Sequence, residues 1–442
     1  MRARNFFGLH SQHRILGGAA VLALTQIAAS VAGLLRDYLL NRTFPGLHVV
    51  DVYFAGFRPS DLLFQMTIMA GYSVALVPLL AQYKASDNKR GMNDLLSGVM
   101  GLAAVAFGAL ALALALALPW IATAFVQFQG ETLSLYINFA RIALLTNFLF
   151  VFGNAFGQYF ITEQRYWIYG LTPVLYTLGT IFGTVVLTPF VGSYGPIVGT
   201  LLGAVVYVFV RLLGALHMGY RPRFSLWHAD IAELGWLMLP RMVALGVLQF
   251  ELLLFDRIAS GLPAGSITIN SNARNFQSVI VGAVGIALAQ SAFSLLSQAA
   301  ARREIGRFFL YLRKGITVIL LLTIPGAVAL WLLAPVAAAL VHLSDLLPVF
   351  SICLGLYAIS IPFESINHLL LRSYYSLKDT TVPALLSVLN GTLAIGITWW
   401  LAPQLGVFSL PIGFAAGQGI SLVGLAILLP RRVRRLVLVK NS

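Results

Sequence analysis

The chain has 442 residues, of which 59% are hydrophobic and only 10% charged, with a formal net charge of +14. A water-soluble fold cannot hide that much apolar surface, and the apolar runs are continuous rather than alternating, which excludes a soluble enzyme and a β-barrel. A single cysteine, Cys353, excludes an intrachain disulfide and a thiolate metal cluster.

The composition predicts an all-α polytopic membrane protein. The basic leader MRARNFFGLHSQHR precedes an apolar run too long for a signal peptide and reads as a cytoplasmic tail. About twelve spans follow, at 16–42, 51–82, 95–125, 133–162, 167–190, 195–218, 230–258, 266–299, 315–341, 347–373, 381–402 and 406–429. Several exceed the ~20 residues that an upright helix needs, so tilted or broken helices are expected.

Basic residues occupy every second connection. They lie in the tail (Arg2, Arg4, Arg14), then at Lys84, Lys89 and Arg90, at Arg165, at Arg221 and Arg223, at Arg302–Lys314, at Arg372 and Lys378, and in the last residues from Arg431 to Lys440. The alternate connections lack Lys and Arg, apart from Arg42 at the edge of the first. By the positive-inside rule both termini are cytoplasmic. The charge excess is then a topology signal with affinity for anionic membrane lipids, and implies no nucleic acid partner.

Polar residues inside the spans are unevenly spread. Span 1 has Gln26, Ser30, Gly33 and Asp37 at helical spacing, with Arg36 beside them. Span 2 puts Arg58, Asp61 and Gln65 on one face, with Pro59 expected to loosen the helix there. Span 7 carries Gln249 and Asp256 seven apart, with Arg241, Glu251 and Arg257, and span 8 carries Asn270, Arg274, Gln277 and Ser278. An Arg or Asp at the bilayer centre costs roughly 2.5–3.5 kcal/mol, so such residues face water or one another. Spans 1, 2, 7 and 8 therefore read as the walls of a central hydrated cavity. The bland alternative is that Arg58–Asp61 and Asp256–Arg257 are ion pairs that only hold the bundle.

The halves repeat. Arg58 with LLAQ at Leu79 matches Arg274 with LLSQ at Leu295, YF at 159–160 matches YY at 374–375, and GTLLG at 199–203 matches GFAAG at 413–417. The near-constant offset points to duplication, with residues 1–220 as one six-helix lobe and 221–442 as a second. An even number of spans per half makes the repeats parallel, which places a substrate site between the lobes.

Other features carry less. Glu364 and His368 have the spacing of two metal ligands but no third, and read as a structural pair. Arg141 with Asn138 and Asn147 reads as a second polar patch or a packing feature. The pairs Gly199/Gly203 and Gly413/Gly417 suit close helix packing, and Trp120, Trp167, Trp236, Trp399 and Trp400 suit an interfacial belt.

Three blocks resemble the MurJ/MviN family of lipid II flippases, within the multidrug/oligosaccharidyl-lipid/polysaccharide exporter superfamily. They are GLLRDYLLNRTFPG with DVYFAGFRPSDLL and AGYSVALVPLLAQY, then DRIASGLPAGSITINSNARNF, then LLRSYYSLKDTTVPALLSVLNGTL. The resemblance implies transport of an undecaprenyl-diphosphate-linked cell-wall precursor by alternating access between two six-helix lobes. It also implies that Arg36, Arg58 and Arg274 match family arginines and Asp51 a family acid. The chain departs from the pattern at Ser30 and Phe64, where the family has arginine, and at Met69, where it has glutamate. Many members have fourteen spans, against about twelve read here.

Together these readings give a flippase rather than an enzyme, monomeric and multi-pass in the cytoplasmic membrane, carrying a polyprenyl-diphosphate-linked saccharide. The head-group candidates are Arg36, Asp37, Asp51, Arg58, Asp61, Gln249, Asp256, Arg257, Asn270, Arg274 and Gln277. No cofactor is expected, and ion or membrane-potential coupling replaces ATP because no phosphate-cradling loop appears. Export of another lipid-linked oligosaccharide, or cation-coupled drug export through Asp37, Asp61 and Asp256, remain the alternatives.

Overall fold

In hydrocarbon every backbone N–H and C=O must be satisfied within its own segment, and a run of residues this apolar meets that requirement only as helix. The computed structural model describes residues 4–72, 76–223 and 225–438, and no strand occurs among them. The tail residues Arg2 and Lys440 lie outside the described residues.

The first half begins with α1 (Arg4–Thr43) and α2 (His48–Phe64). A π-helical turn at Gln65–Met69 follows α2, and α3 (Val77–Ala85) completes the second span. Next come α4 (Lys89–Phe125), α5 (Gly130–Thr162) and α6 (Tyr166–Phe182), with a second π-turn at Gly183–Leu187, then α7 (Thr188–Val191) and α8 (Gly195–His217). The second half runs α9 (Ile231–Ala259), α10 (Ser266–Ile280), a π-turn at Val281–Ile286, and α11 (Ala287–Ala301). It ends with α12 (Ile305–Leu332), α13 (Ala334–Leu340), α14 (Leu347–Ser376), α15 (Thr381–Leu405) and α16 (Ser409–Leu438). These helices fill the twelve expected spans. Among the described residues seven stretches are long and apolar enough to cross a membrane, and two of them, Tyr166–His217 and Thr381–Val433, run to 52 and 53 residues. Each of those two bends back at a short turn and supplies two spans. The expected tryptophans Trp120, Trp167, Trp236, Trp399 and Trp400 are all exposed.

Contacts divide the chain into two compact units, Met1–Ala124 with Phe128–Gln249, and Phe125–Gln127 with Phe250–Ser442. The sequence division at 220/221 lies in the linker before α9, whereas the contacts divide the chain inside that helix. In the first unit α6 packs on α1 and α8, and α5 on α2 and α8. In the second, α14 is the hub, packed on α10, α11, α12 and α16.

The duplication is written into the backbone of each unit. The π-turns at 65–69 and 281–286 stand at the Arg58–Arg274 offset. Left-handed residues recur the same way: Asp87 matches Arg303, Gln164 matches Lys378, and Gly192 matches Gly406. The four non-glycine positions close Schellman motifs, in which the following amide donates five residues back: Asn88 N to Tyr83 O (2.9 Å), Arg165 N to Phe160 O (2.8 Å), Glu304 N to Ala299 O (2.9 Å) and Asp379 N to Tyr374 O (3.1 Å). A left-handed non-glycine residue costs about 1–2 kcal/mol, so a motif retained at four matching places is a strong constraint on loop geometry.

Glycines set the closest helix approach. A Cβ on Gly183 would stand 2.6 Å from the Gly199 Cα, and one on Gly179 would stand 2.7 Å from the Gly203 N. The α6 segment and α8 thus touch backbone to backbone, as the small-residue spacing predicts. Gly199→Ala is expected to destabilise by about 1–3 kcal/mol through overpacking, read as a lower melting temperature in detergent. Gly396→Ala in α15, where nothing lies within 4 Å of the new methyl, is the control and is expected to leave the melt unchanged or raised.

Candidate functional site

In the first unit, Arg36 on α1 turns onto its neighbour Asp37, with Nε donating to Oδ1 at 2.9 Å and Nη2 at 2.7 Å. Asp37 is buried, while the Arg36 side chain keeps 18% of its surface open. The phenol of Tyr53 lies in the same electrostatic neighbourhood, joined to Thr200 (3.1 Å) in a hydroxyl triad with Thr180. That triad ties α2 to α6 and α8. Asp51 is buried in the first turn of α2, where the helix dipole favours an acid.

Arg58 is half-buried and sits in the field of Asp61. Asp61 Oδ1 accepts from Asn147 Nδ2 on α5 at 2.9 Å. Asn147 also donates to the Ser60 hydroxyl, which in turn donates to the Ala143 carbonyl at 3.0 Å. The patch expected around Arg141 therefore does not form. Arg141 Nε donates to the Ala115 carbonyl (3.0 Å), Asn138 to the Tyr194 hydroxyl (2.8 Å), and Asn147 belongs to span 2.

The second unit gathers more of the candidates. Arg274 on α10 faces Glu251 on α9 at 4.0 Å, with side-chain exposures of 17% and 5%. Its guanidinium lies over the Phe414 ring of α16, 4.5 Å from the centroid. Glu251 Oε1 and Arg274 Nη1 are both buried without a hydrogen-bond partner. This is a loose pair at charge distance. One turn before Arg274, Asn270 accepts from the Tyr357 hydroxyl at 2.6 Å. One turn after it, Gln277 Nε2 donates to Glu364 Oε2 at 2.7 Å and to the Ser360 hydroxyl at 3.2 Å.

The remaining candidates lie along α9. Gln249 is half-buried at the end of the first unit's share of that helix. Asp256 is buried and Arg257 half-buried near its C-terminus, where the Arg257 carbonyl accepts from Gln127 Nε2 at 3.1 Å.

Sequence reasoning missed Glu364 as a partner of span 8, and it missed Arg211. That arginine, on α8, is 1% exposed and is one of the largest fully buried side chains described. Its Nε donates to the Thr172 hydroxyl (2.7 Å), Nη1 to the Gly153 carbonyl (2.6 Å) and Nη2 to the Tyr169 carbonyl (2.8 Å). It also lies over the Tyr207 ring at 4.3 Å. The guanidinium fork thereby pins α5, α6 and α8 together. The signal available in sequence was one arginine inside an apolar span; the structure sets it against Gly157, where a Cβ would stand 2.6 Å from Nη1.

The sequence profile of the family described as "Lipid II flippase MurJ" matches residues 40–441. The chain is 23% identical over 379 residues to a Lipid II flippase MurJ of Burkholderia cenocepacia, covering 82% of this chain and 73% of that one. It is 24% identical over 424 residues to a probable lipid II flippase MurJ of Bdellovibrio bacteriovorus, covering 90% and 79%. Among solved structures it superposes on a lipid II flippase MurJ in an inward closed conformation with a TM-score of 0.77 at 19% identity, over 95% of this chain and 90% of that one. An inward-facing multidrug resistance MATE family transporter gives 0.75 at 15%, over 95% and 98%. These likenesses show one shared polytopic fold.

The two repeats hold one contact in mirror chemistry. Asp61 corresponds to Gln277, and each meets a side chain of the long helix packed on it, Asn147 of α5 in the first unit and Glu364 of α14 in the second, so an amide meets a carboxylate in both with the acid on the opposite helix. Asn147→Ala is expected to cost about 1–3 kcal/mol by leaving the half-buried Asp61 carboxylate short of a donor. The double change Asp61→Asn with Asn147→Asp, which gives the first unit the arrangement of the second, is expected to restore most of that loss. Thermal melts of the three proteins in one detergent check it.

Proposed function

Because this chain belongs to the lipid II flippase MurJ family, we propose that it moves lipid II, or a closely related polyprenyl-diphosphate-linked saccharide, across the cytoplasmic membrane by alternating access. The observation that supports this most is Arg274, a charge held inside an apolar span by one carboxylate at 4.0 Å and an aromatic face. An arginine bound that loosely has donors to give, and its planar fork fits two phosphate oxygens at once. Arg36 and Arg58 are its counterparts in the first unit, each beside an acid.

The mechanism follows from charge. The diphosphate leaves water for the arginines, which exchange contacts with Glu251, Asp37 and Asp61 for contacts with phosphate oxygens. The polyprenyl tail stays in lipid, so only the head group needs a polar path. The lobes then rock and present the same site to the other face. Asn270, Gln277 and the candidates on α9 would meet the saccharide or the outer phosphate. In this reading the protein is a monomeric transporter without a catalytic centre, both termini are cytoplasmic, and an ion gradient or the membrane potential supplies the energy. Cation-coupled drug export fits less well, because Asp37 and Asp61 are already engaged by Arg36 and Asn147 and offer a cation less. Another lipid-linked oligosaccharide differs only in the sugar and shares the diphosphate chemistry.

The test is flipping by the purified chain in liposomes, with lipid II beside an unrelated polyprenyl-diphosphate oligosaccharide. Lipid II is expected to cross, with Arg274→Ala and Arg58→Ala each reducing the rate at least about tenfold, the loss of one charge-assisted contact. Transport of the other lipid alone would move the chain to saccharide export, and transport of neither by folded protein would overturn the proposal.

A further inference from the structure

Beside Arg274 the second unit carries a row of ionisable groups that head-group binding leaves unexplained. Glu364, His368 and Arg372 stand at successive turns on one face of α14. Glu364 and His368 are half-buried. Gln277, one turn along α10 from Arg274, donates to Glu364. Arg372 lies over the Phe293 ring of α11 at 5.6 Å. The row thus runs from Glu251 and Arg274, through Gln277 and Glu364, to His368 and Arg372 at the α14 end that carries the basic connection. Among the described residues no third His, Cys, Asp or Glu joins Glu364 and His368 in a group able to hold a metal ion.

The charged surroundings of this pair are few. They are Glu251 from α9, Arg274 from α10, and Arg372 from α14 itself. Of the other elements packed on α14, α11, α13, α15 and residues 409–430 of α16 contain no ionisable residue. Those of α12 are Arg307, Tyr311, Arg313 and Lys314, all in its first ten residues. With both carboxylates ionised and His368 neutral, two positive and two negative charges balance.

We propose that Glu364 and His368 form a proton-binding site linked to anion binding at Arg274, so that the chain takes up a proton as the diphosphate docks. The inference rests on the flippase reading for the identity of the anion. When phosphate oxygens occupy Arg274, its charge no longer balances Glu251 and Glu364, and the row carries an excess of negative charge in a poorly solvated span. Such an excess is costly, and the cheapest neutralisation is a proton on the nearest titratable group. The proton comes from cytoplasmic water, binds the open ring nitrogen of His368 or a Glu364 oxygen, and shares the pair. Linkage is reciprocal: if the anion raises the proton affinity of the pair, the proton raises the affinity for the anion. Diphosphate binding therefore tightens as pH falls through the range of the pair, by up to about tenfold per pH unit for one linked proton, and levels off below it. One turn after Asn147, the partner of Asp61 in the first unit, stands Val151, whereas one turn after Glu364 stands His368, so the proton site belongs to one unit only.

The test is calorimetric titration of the full chain in detergent with farnesyl diphosphate, at one pH near 6.5, the ordinary histidine value, in buffers of different ionisation enthalpy. The heat is expected to vary with the buffer, giving an uptake approaching one proton per diphosphate. In the double variant Glu364→Gln with His368→Gln, where the new amide at position 364 can still accept from Gln277, binding is expected to persist with that uptake lost. The ligand's own titration is common to both proteins and cancels. Equal uptake in wild type and variant, or none in wild type, overturns the proposal. A second measurement needs no ligand: infrared titration of the protein is expected to show either a protonated-carboxyl band that Glu364→Gln removes or an imidazolium band that His368→Gln removes, and the absence of both from wild type overturns the site by itself. Failure of the diphosphate to bind at any pH would count against the flippase reading instead, and the infrared titration then decides the proton site alone.

Discussion

A charge placed inside a bilayer must find its partner within the protein, and that constraint organises both units. Three arginines within the spans meet it differently. Arg36 folds onto the adjacent acid. Arg211 dispenses with an acid and spreads its charge over two carbonyls, a hydroxyl and a ring, which satisfies the fork fully and leaves nothing to offer a ligand. Arg274 is met only in part, by a carboxylate at 4.0 Å and an aromatic face. The two differ in the number of donors already engaged, three in Arg211 and fewer in Arg274.

The same constraint explains how the duplication has diverged. The π-turns, the left-handed loop residues and the Arg58–Arg274 correspondence preserve backbone geometry, because a helix break inside a span is tolerated only where neighbours re-satisfy the freed groups. Side chains vary within that frame. Where Asp61 meets Asn147 of α5, its match Gln277 meets Glu364 of α14: an amide meets a carboxylate in both units, with the acid on the opposite helix. Moving the acid onto α14 puts it one turn from His368, which is what gives the second unit a titratable row.

The spans, the repeat and the helices that carry polar groups were legible in the sequence, because continuous apolar runs and charge alternation are properties of the chain itself. Partner choice was not. Asn147 was grouped with Arg141 by nearness along α5, yet six residues at 100° each put the two about 120° apart around a helix, and Asn147 faces α2. Glu364 and His368 were legible as one face, but the donor to Glu364 comes from another helix some eighty residues earlier. Arg211 was passed over because it stands near a span end beside basic loops, where an arginine usually reaches water; only the packing of α5 and α6 shows it enclosed. Burial of Asp51 and the triad of Tyr53, Thr180 and Thr200 likewise depend on tertiary neighbours.

The central claim is that Arg274 exchanges its carboxylate for a phosphate. The most direct measurement is a structure of the chain with lipid II bound. The account predicts the Arg274 guanidinium within hydrogen-bond distance of diphosphate oxygens, with Glu251 moved beyond the present 4.0 Å. A bound head group with the Arg274–Glu251 pair intact and the diphosphate held elsewhere would contradict it.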